Sequence, residues 1–317
     1  MRKPIIVIAA TLPALALIVY LWIPSSLSVS KIQPVDCTIQ GAFRALSQKT
    51  NWNNWWPQPT PDSAGIFHYK AHTYRLTQIL LHTFHITIER NGESISTVLY
   101  LLPFPGDSLA LQWKCMIPAG HNPFNKLQRY RQALAIRNNM GELLQYLQEF
   151  LQKPKNIYGL EIHNATTHDT LLIATNTTLS TYPSTDIIYN MINSLEKYAA
   201  SRQAHPTGHP MLNVTMLDSN QYKVQTALPV NKRLEDQGRF FFRRMVPGKF
   251  IATEVTGGVH TVNNAWHQVQ LYLRDNQEVA MAMPFEYLVT NRRQEPDTSK
   301  WITRLFVPVY YEADPTK

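Results

Sequence analysis

The chain has 317 residues, 44% of them hydrophobic and 16% charged, with a formal net charge of +8. That balance excludes a disordered or low-complexity polymer and leaves room for two domains, each with a core of its own. The charge excludes less: Lys232, Arg233, Arg239, Arg243, Arg244 and Lys249 gather in one stretch. Glu235 and Asp236 interrupt it, and no helix-turn-helix or zinc-finger pattern accompanies it, so a solvated loop and no nucleic-acid partner are expected.

Residues 5–23, IIVIAATLPALALIVYLWI, run for 19 positions without a charge. At about 1.5 Å per residue such a helix matches a bilayer's hydrocarbon core, so residues 1–24 are expected to form a single-pass transmembrane signal anchor. Arg2 and Lys3 precede it, which keeps the N-terminus in the cytoplasm and puts the globular part outside, on the periplasmic side. A cleaved signal peptide is the alternative, although this run is longer than an ordinary h-region. Cys37 and Cys115 are the two cysteines, and the sequence leaves open whether they are bridged or reduced.

Residues 28–155 read as a first domain of α+β class. SLSVSKIQP alternates as a strand, Ile39, Ala42, Phe43 and Leu46 mark a short helix, and a tryptophan cluster follows. GIFHYKAHTYRLT, QILLHTFHITIER, GESISTVLYLLPF and SLALQWKCMIP read as four consecutive antiparallel strands, with Asn91-Gly92 and Gly106-Asp107 as turns. The period then changes to 3.6, and Leu127, Tyr130, Leu134, Ile136, Met140, Leu143, Leu147 and Phe150 define a long amphipathic helix from about Pro123 to Lys153. His82 and His85 point to opposite faces of a strand, and His68 and His72 share a face but lie about 13 Å apart at strand rise, so no metal site is expected. The stretch VDCTIQGAFRALSQKTNWNNWWPQ, with Trp52, Trp55, Trp56 and Pro57, resembles the opening of START-like (SRPBCC) domains of the polyketide cyclase/dehydrase type. The resemblance implies a helix-grip fold around an apolar cavity, with Trp52 and Trp55 as ligand contacts or as core and lid packing.

Residues 158–312 contain a repeat. LLIATNTTLST, a helix over 184–200, HPMLNVTML and KVQTALPVN are followed by KFIATEVTGG, a helix over 263–275, MPFEYLVTN and WITRLFVPVYY. Ile173-Ala174-Thr175 aligns with Ile251-Ala252-Thr253, and Leu228-Pro229-Val230 with Val307-Pro308-Val309, at offsets of 78 and 79 residues. Each unit is βαββ and cannot cover its sheet alone, so the copies are expected to pair about a pseudo-twofold with a cleft between them. FIATEVTGGVHTVNNAWHQVQLYL, PFEYLVTN and EPDTSKWITRLFVPV together resemble the gyrase-inhibitor-like, or effector-binding, domain of bacterial transcription activators. The resemblance implies that Glu286 lies in an apolar cleft and neutralises a cationic aromatic ligand. The family's aromatic two places after the glutamate is replaced by Leu288, with Tyr287 adjacent. A carboxylate among Met281, Met283, Phe285 and Leu288 is costly to bury unless a cation meets it, and the alternatives are exposure or a structural arginine. Trp266, Tyr287 and Trp301 are candidate ring walls.

No P-loop, dinucleotide fingerprint, His-Glu-x-x-His or Gly-x-Ser-x-Gly stretch appears, and no cofactor is expected. The expected function is membrane-anchored binding of a hydrophobic or cationic small molecule or lipid. An enzyme using Glu286 as general base and a non-catalytic envelope interaction protein are the alternatives.

Overall fold

The computed structural model describes residues 20–58, 65–105, 108–167, 171–218, 220–245 and 248–310. Most of the apolar run 5–23 lies outside the described residues, as does Gly106-Asp107; residues 20–22 are helical. Among the described residues no helix is long and apolar enough to cross a membrane. The chain divides into two compact units between Ile157 and Tyr158.

In the first unit β1 (Ser26–Val35) leads into α1 (Ile39–Ser47), whose first turn is capped by the Thr38 hydroxyl accepting from Gly41 N at 3.2 Å. A 3-10 segment, Lys49–Asn54, carries Trp52 inward. Strands β2 (Ile66–Tyr69), β3 (His72–Leu80), β4 (Thr83–Arg90), β5 (Glu93–Phe104) and β6 (Ser108–Pro118) then form a meander. β1 pairs with β6, giving the antiparallel order β1-β6-β5-β4-β3-β2.

Two of the expected strands are cut differently. The chain turns at Lys70 (φ 52°) and again at Leu81 (φ 45°), so five strands stand where the sequence suggests four. Neither turn carries the usual Gly, Asn or Pro signal. The pairings Tyr69↔His72 and Leu80↔Thr83 hold these residues in the left-handed region despite its cost. His68 and His72 therefore sit on two paired strands and not along one.

Helix α2 (Pro123–Leu151) opens with Pro123 in its first turn and the Asn122 side chain accepting from Phe124 N at 2.9 Å. From Ile136 onward its apolar stripe is buried, through Met140, Leu143 and Leu147. The start of the helix differs from expectation, because Leu127, Tyr130 and Leu134 are exposed, as is Phe124. Cys37 and Cys115 are not bridged. Cys115 pairs with Val29, whereas Cys37 lies in the turn after Val35, six strand positions, about 20 Å, along β1 from Val29.

The short helix α3 (Pro154–Tyr158) spans the division between the units. The second unit contains β7 (His163–Ala165), β8 (Leu171–Leu179), α4 (Thr185–Ser201), β9 (Met211–Asp218), β10 (Gln221–Pro229), β11 (Phe241–Arg244), β12 (Phe250–Thr256), α5 (Val259–Asp275), β13 (Phe285–Leu288) and β14 (Ile302–Pro308). All eight strands join one sheet in the order β11-β8-β10-β9-β13-β14-β12-β7. Its centre is symmetric, since β8-β10-β9 meets β13-β14-β12 at a seam where Leu212 faces Glu286 and Met211 faces Tyr287. The ladders repeat as well: Leu172 opposes Pro229 in one copy, and Phe250 opposes Pro308 in the other. Both helices are 17 residues long.

The basic stretch expected as a solvated loop contains an edge strand instead, β11, in which Phe241 and Phe242 supply the strand propensity that the flanking charges mask. Helix α5 begins at Val259, four residues before the expected start. Gly257, at φ +146°, reverses the chain immediately after β12, and Gly258 occupies the N-cap position.

Candidate functional site

Side chains alternate across a strand, and that rule divides the residues singled out in the second unit. Ile188 and Ile192 of α4 pack with Leu212, Val224 and Leu288, so these strand residues face the helix layer. Glu286 lies two positions before Leu288 and shares that face. Phe285 and Tyr287 face the other way, clustered with Leu172, Met211, Phe250 and Phe306. Phe285 stacks on Phe306 with centroids 5.3 Å apart and planes at 5°. Met281 and Met283, expected beside Glu286, border the opposite face with Phe285.

On the helix side Glu286 is only 6% exposed. Trp266 of α5 donates its Nε1–H to Glu286 Oε1 at 3.0 Å, and Arg292 Nη2 stands 3.8 Å from Oε2. Arg292 is buried too. Its Nη2 donates to Thr303 Oγ1 at 2.8 Å, its backbone N–H donates to the Tyr189 hydroxyl at 2.8 Å, and its guanidinium lies 5.0 Å from the Trp301 ring centroid. Trp301 donates in turn to the Glu295 carbonyl at 2.8 Å. Burial pushes the Glu286 carboxyl above its ordinary range, while the Trp266 bond and the Arg292 charge pull the other way. The structure thus brings together Glu286, Trp266 and Trp301, and supplies the charge partner from within the chain. As a base this carboxylate is enclosed, and as a counter-charge it is already paired.

The other face of the sheet, where none of the described lining residues is helical, holds a cleft of about 660 Å³, inside the range of small-molecule sites. Ala174, Ala227, Met211 and Phe285 form its floor across the seam between the copies. Phe241, Phe250, Met245, Met281 and Met283 contribute walls and lip, and Arg243, Arg244 and Lys249 are the charged residues lining it. The sheet must curl toward this side. A flat sheet would put β11 and β12 six strand spacings apart, about 29 Å, whereas the chain from Arg244 to Phe250 can span at most about 22 Å.

Trp52 and Trp55 belong to the first unit, where they fill space. Both are buried with Trp56, Phe67, Tyr74, Phe84 and Trp113. Trp52 stacks on Phe67 at 5.8 Å and donates to the Leu46 carbonyl at 2.8 Å; Trp55 lies against Trp56 at 5.0 Å. Below these rings His72 approaches Asn139 at 3.2 Å, and its Nε2 has no hydrogen-bond partner among the described residues.

Arg292 and the cleft's basic edge escape the sequence reading. Arg292 sits in a turn-like TNRRQEP stretch that resembles any solvated surface run, and only Glu286, six residues earlier, hinted at a buried cation. β11 was visible as FFRR but lacked the length to register as a strand.

No family model and no curated protein matches the chain. Solved structures similar to it include the EcmrR–DNA complex, at 14% identity over 59% of this chain and 70% of that one, with a TM-score of 0.43. The EcmrR C-terminal domain aligns at 12% identity over 48% of this chain and 98% of that one, with a TM-score of 0.40. SAV2435 bound to tetraphenylphosphonium aligns at 16% identity over 48% of this chain and 94% of that one, with a TM-score of 0.32. All three scores lie below 0.5, and the chemistry of the site follows from its own residues.

Proposed function

We propose that this chain is a binding protein whose second unit takes up a hydrophobic small molecule or lipid in the helix-free cleft, without turnover. The observation that carries the reading is the cleft itself: about 660 Å³ with an Ala, Met and Phe floor running across the duplicated halves. Methionine-lined walls suit ligands of variable shape, because the thioether side chain repacks at little cost. The resemblance of the three quoted sequence blocks to effector-binding domains supports small-molecule binding by this unit. The first unit is not assigned a ligand, since aromatic side chains occupy its interior. The apolar run 5–23 would tether the pair to a membrane with both units outside the cytoplasm, where an apolar ligand can be drawn from or delivered to lipid.

The test is Ala227→Trp, which fills the floor while keeping the strand. Full-length protein in a sugar-headed non-ionic detergent is titrated with the neutral fluorophore N-phenyl-1-naphthylamine. Saturable enhancement in the parent, lost in the variant with unchanged circular dichroism, supports the reading. Equal enhancement in both proteins removes the cleft as the site.

A further inference from the structure

We propose that the cleft selects an anionic amphiphile, a single apolar chain ending in a carboxylate or phosphate group, which it holds by the cations on its β11 edge. This rests on the reading that the cleft binds an apolar molecule and specifies which kind. It reverses the charge preference that Glu286 suggests, because Glu286 lies on the opposite face of the sheet.

Three observations point to an anion. First, among the described residues no aspartate or glutamate lines the cleft, whereas Arg243, Arg244 and Lys249 all do. Second, these cations differ in how far they are already neutralised. Lys249 Nζ stands 2.8 Å from Glu278 Oε1, but among the described residues no carboxylate pairs with Arg243 or Arg244. Third, Arg243 is held in place without being used up. Its guanidinium lies 4.4 Å from the Phe241 ring centroid, and Nη1 donates to the Phe242 carbonyl at 2.9 Å, so the fork is oriented while other N–H groups remain for a ligand. A planar fork fits both carboxylate and phosphate oxygens in bidentate fashion. Arg243, paired with Leu172, is the β11 arginine whose side chain shares the cleft face, with Arg244 one position along at the strand end, so a cationic ligand would meet an unneutralised guanidinium and, among the described residues, no counter-charge.

The ligand's chain would leave this edge and cross the apolar floor. From Phe241 the floor continues over Ala174 and Ala227 to Met211 and Phe285. Strand order places these residues on β11, β8, β10, β9 and β13 in succession, so the floor spans four strand spacings, about 19 Å. A head clamp at one edge with a long apolar trough beside it matches an amphiphile better than a compact aromatic.

The experiment is native mass spectrometry of the full chain released from a sugar-headed non-ionic detergent, with equimolar hexadecanoate, hexadecyl phosphate, hexadecanol and hexadecyltrimethylammonium as competing probes. Retention of either anion at least tenfold above the alcohol and the ammonium is expected; the ratio between the two anions identifies the head group. The double variant Arg243→Gln/Arg244→Gln should bring that preference to threefold or less while leaving hexadecanol retention unchanged. Both arginines are exposed on an edge strand, and Arg243→Lys/Arg244→Lys, which keeps the charge, should retain most of the preference. Equal retention of alcohol and acid, or preference for the ammonium, overturns the anionic assignment and leaves the apolar cleft standing. Retention of no probe, with Ala227→Trp indistinguishable from the parent, overturns both. Anion preference that survives the double glutamine variant also overturns the assignment to the β11 edge.

Discussion

Replacing Glu286 by leucine separates two views of this carboxylate. In the structure it accepts from Trp266 Nε1 of α5 and stands 3.8 Å from Nη2 of Arg292, which comes from the β13–β14 connection. Removing it leaves a guanidinium whose side chain is 4% exposed, with Thr303 as its remaining side-chain acceptor and the Trp301 ring beside it. An uncompensated buried charge of this kind costs about 3–5 kcal/mol. The orphaned indole N–H adds about 1–3 kcal/mol, and the apolar burial of leucine returns about 1.5–3 kcal/mol. These ranges combine to an expected net loss of about 1–6.5 kcal/mol, centred on about 4 kcal/mol and confined to the second unit. Because two units can unfold separately, a single melting temperature does not measure it. Hydrogen exchange of the β13 and β14 amides does, and these should exchange faster by about three orders of magnitude, while β3–β5 remain unchanged. The double variant Glu286→Leu/Arg292→Met should recover to within about 1 kcal/mol of the parent, since an apolar pair of similar volume replaces a buried ion pair at little cost. A single variant as stable as the parent, or a double variant no better than the single, would refute the reasoning and return Glu286 to the role of unpaired counter-charge.

Other expectations are more local. Burial, then the charge of Arg90, holds His72 below the ordinary histidine value, so the folded first unit binds fewer protons than the unfolded chain just below about pH 6.5. Its contribution to stability is present above that pH and lost as pH falls toward the lowered folded value, and His72→Gln should flatten this dependence in denaturant titrations monitored at pH 5 and pH 7.5. For Glu286 the sign is opposite: its raised carboxyl favours folding below about pH 4.3, and that contribution disappears as pH rises through the folded value, which pH-resolved hydrogen exchange of β13 should show. Burial pushes the Cys115 thiol up to about 11, so iodoacetamide at pH 8 should leave Cys115 unmodified in folded protein and alkylate it in urea, and mild oxidation should give no Cys37–Cys115 crosslink by mass spectrometry. Lys126, 4% exposed, donates to the carbonyls of Tyr20 (2.9 Å) and Ile23 (2.7 Å); Lys126→Met should make the chain near residues 20–25 a new site of limited proteolysis.

Elements whose burial period is long were legible from the residues alone. β1, α1 and the buried part of α2 lie where alternation or 3.6-residue spacing puts them, and the repeat offsets reappear as equivalent ladder positions, Leu172↔Pro229 and Phe250↔Pro308. Turns without Gly, Asn or Pro were not legible. Lys70 and Leu81 take positive φ because strand pairing on both sides compels it, and pairing is a tertiary fact. The exposed start of α2 shows the same limit in reverse: Phe124, Leu127 and Tyr130 continue the apolar spacing, yet spacing does not say where the covering sheet ends.

The candidate site was half legible for a related reason. Period two requires Phe285 and Tyr287 to face away from Glu286, so the sequence itself divides PFEYL between two faces. What it withholds is which face the helices cover. Both βαββ copies place their helix on one side, the seam β9–β13 aligns them, and the result is a sheet with a covered polar cluster behind and an open apolar trough in front. Duplication then dictates the chemistry. Glu286 stands at the seam opposite Leu212, so the first copy offers no matching acid, and Arg292 from the second copy's own β13–β14 connection satisfies it. The trough, by contrast, draws Ala174, Ala227 and Met211 from one copy and Phe250, Phe285 and Pro308 from the other. Its cations come from the segment between the copies: Arg243 and Arg244 lie on β11, after the first βαββ unit closes, and Lys249 immediately precedes β12. The repeat thus builds an apolar floor shared between the copies, and the inserted linker, which belongs to neither, sets the charge of what that floor can hold.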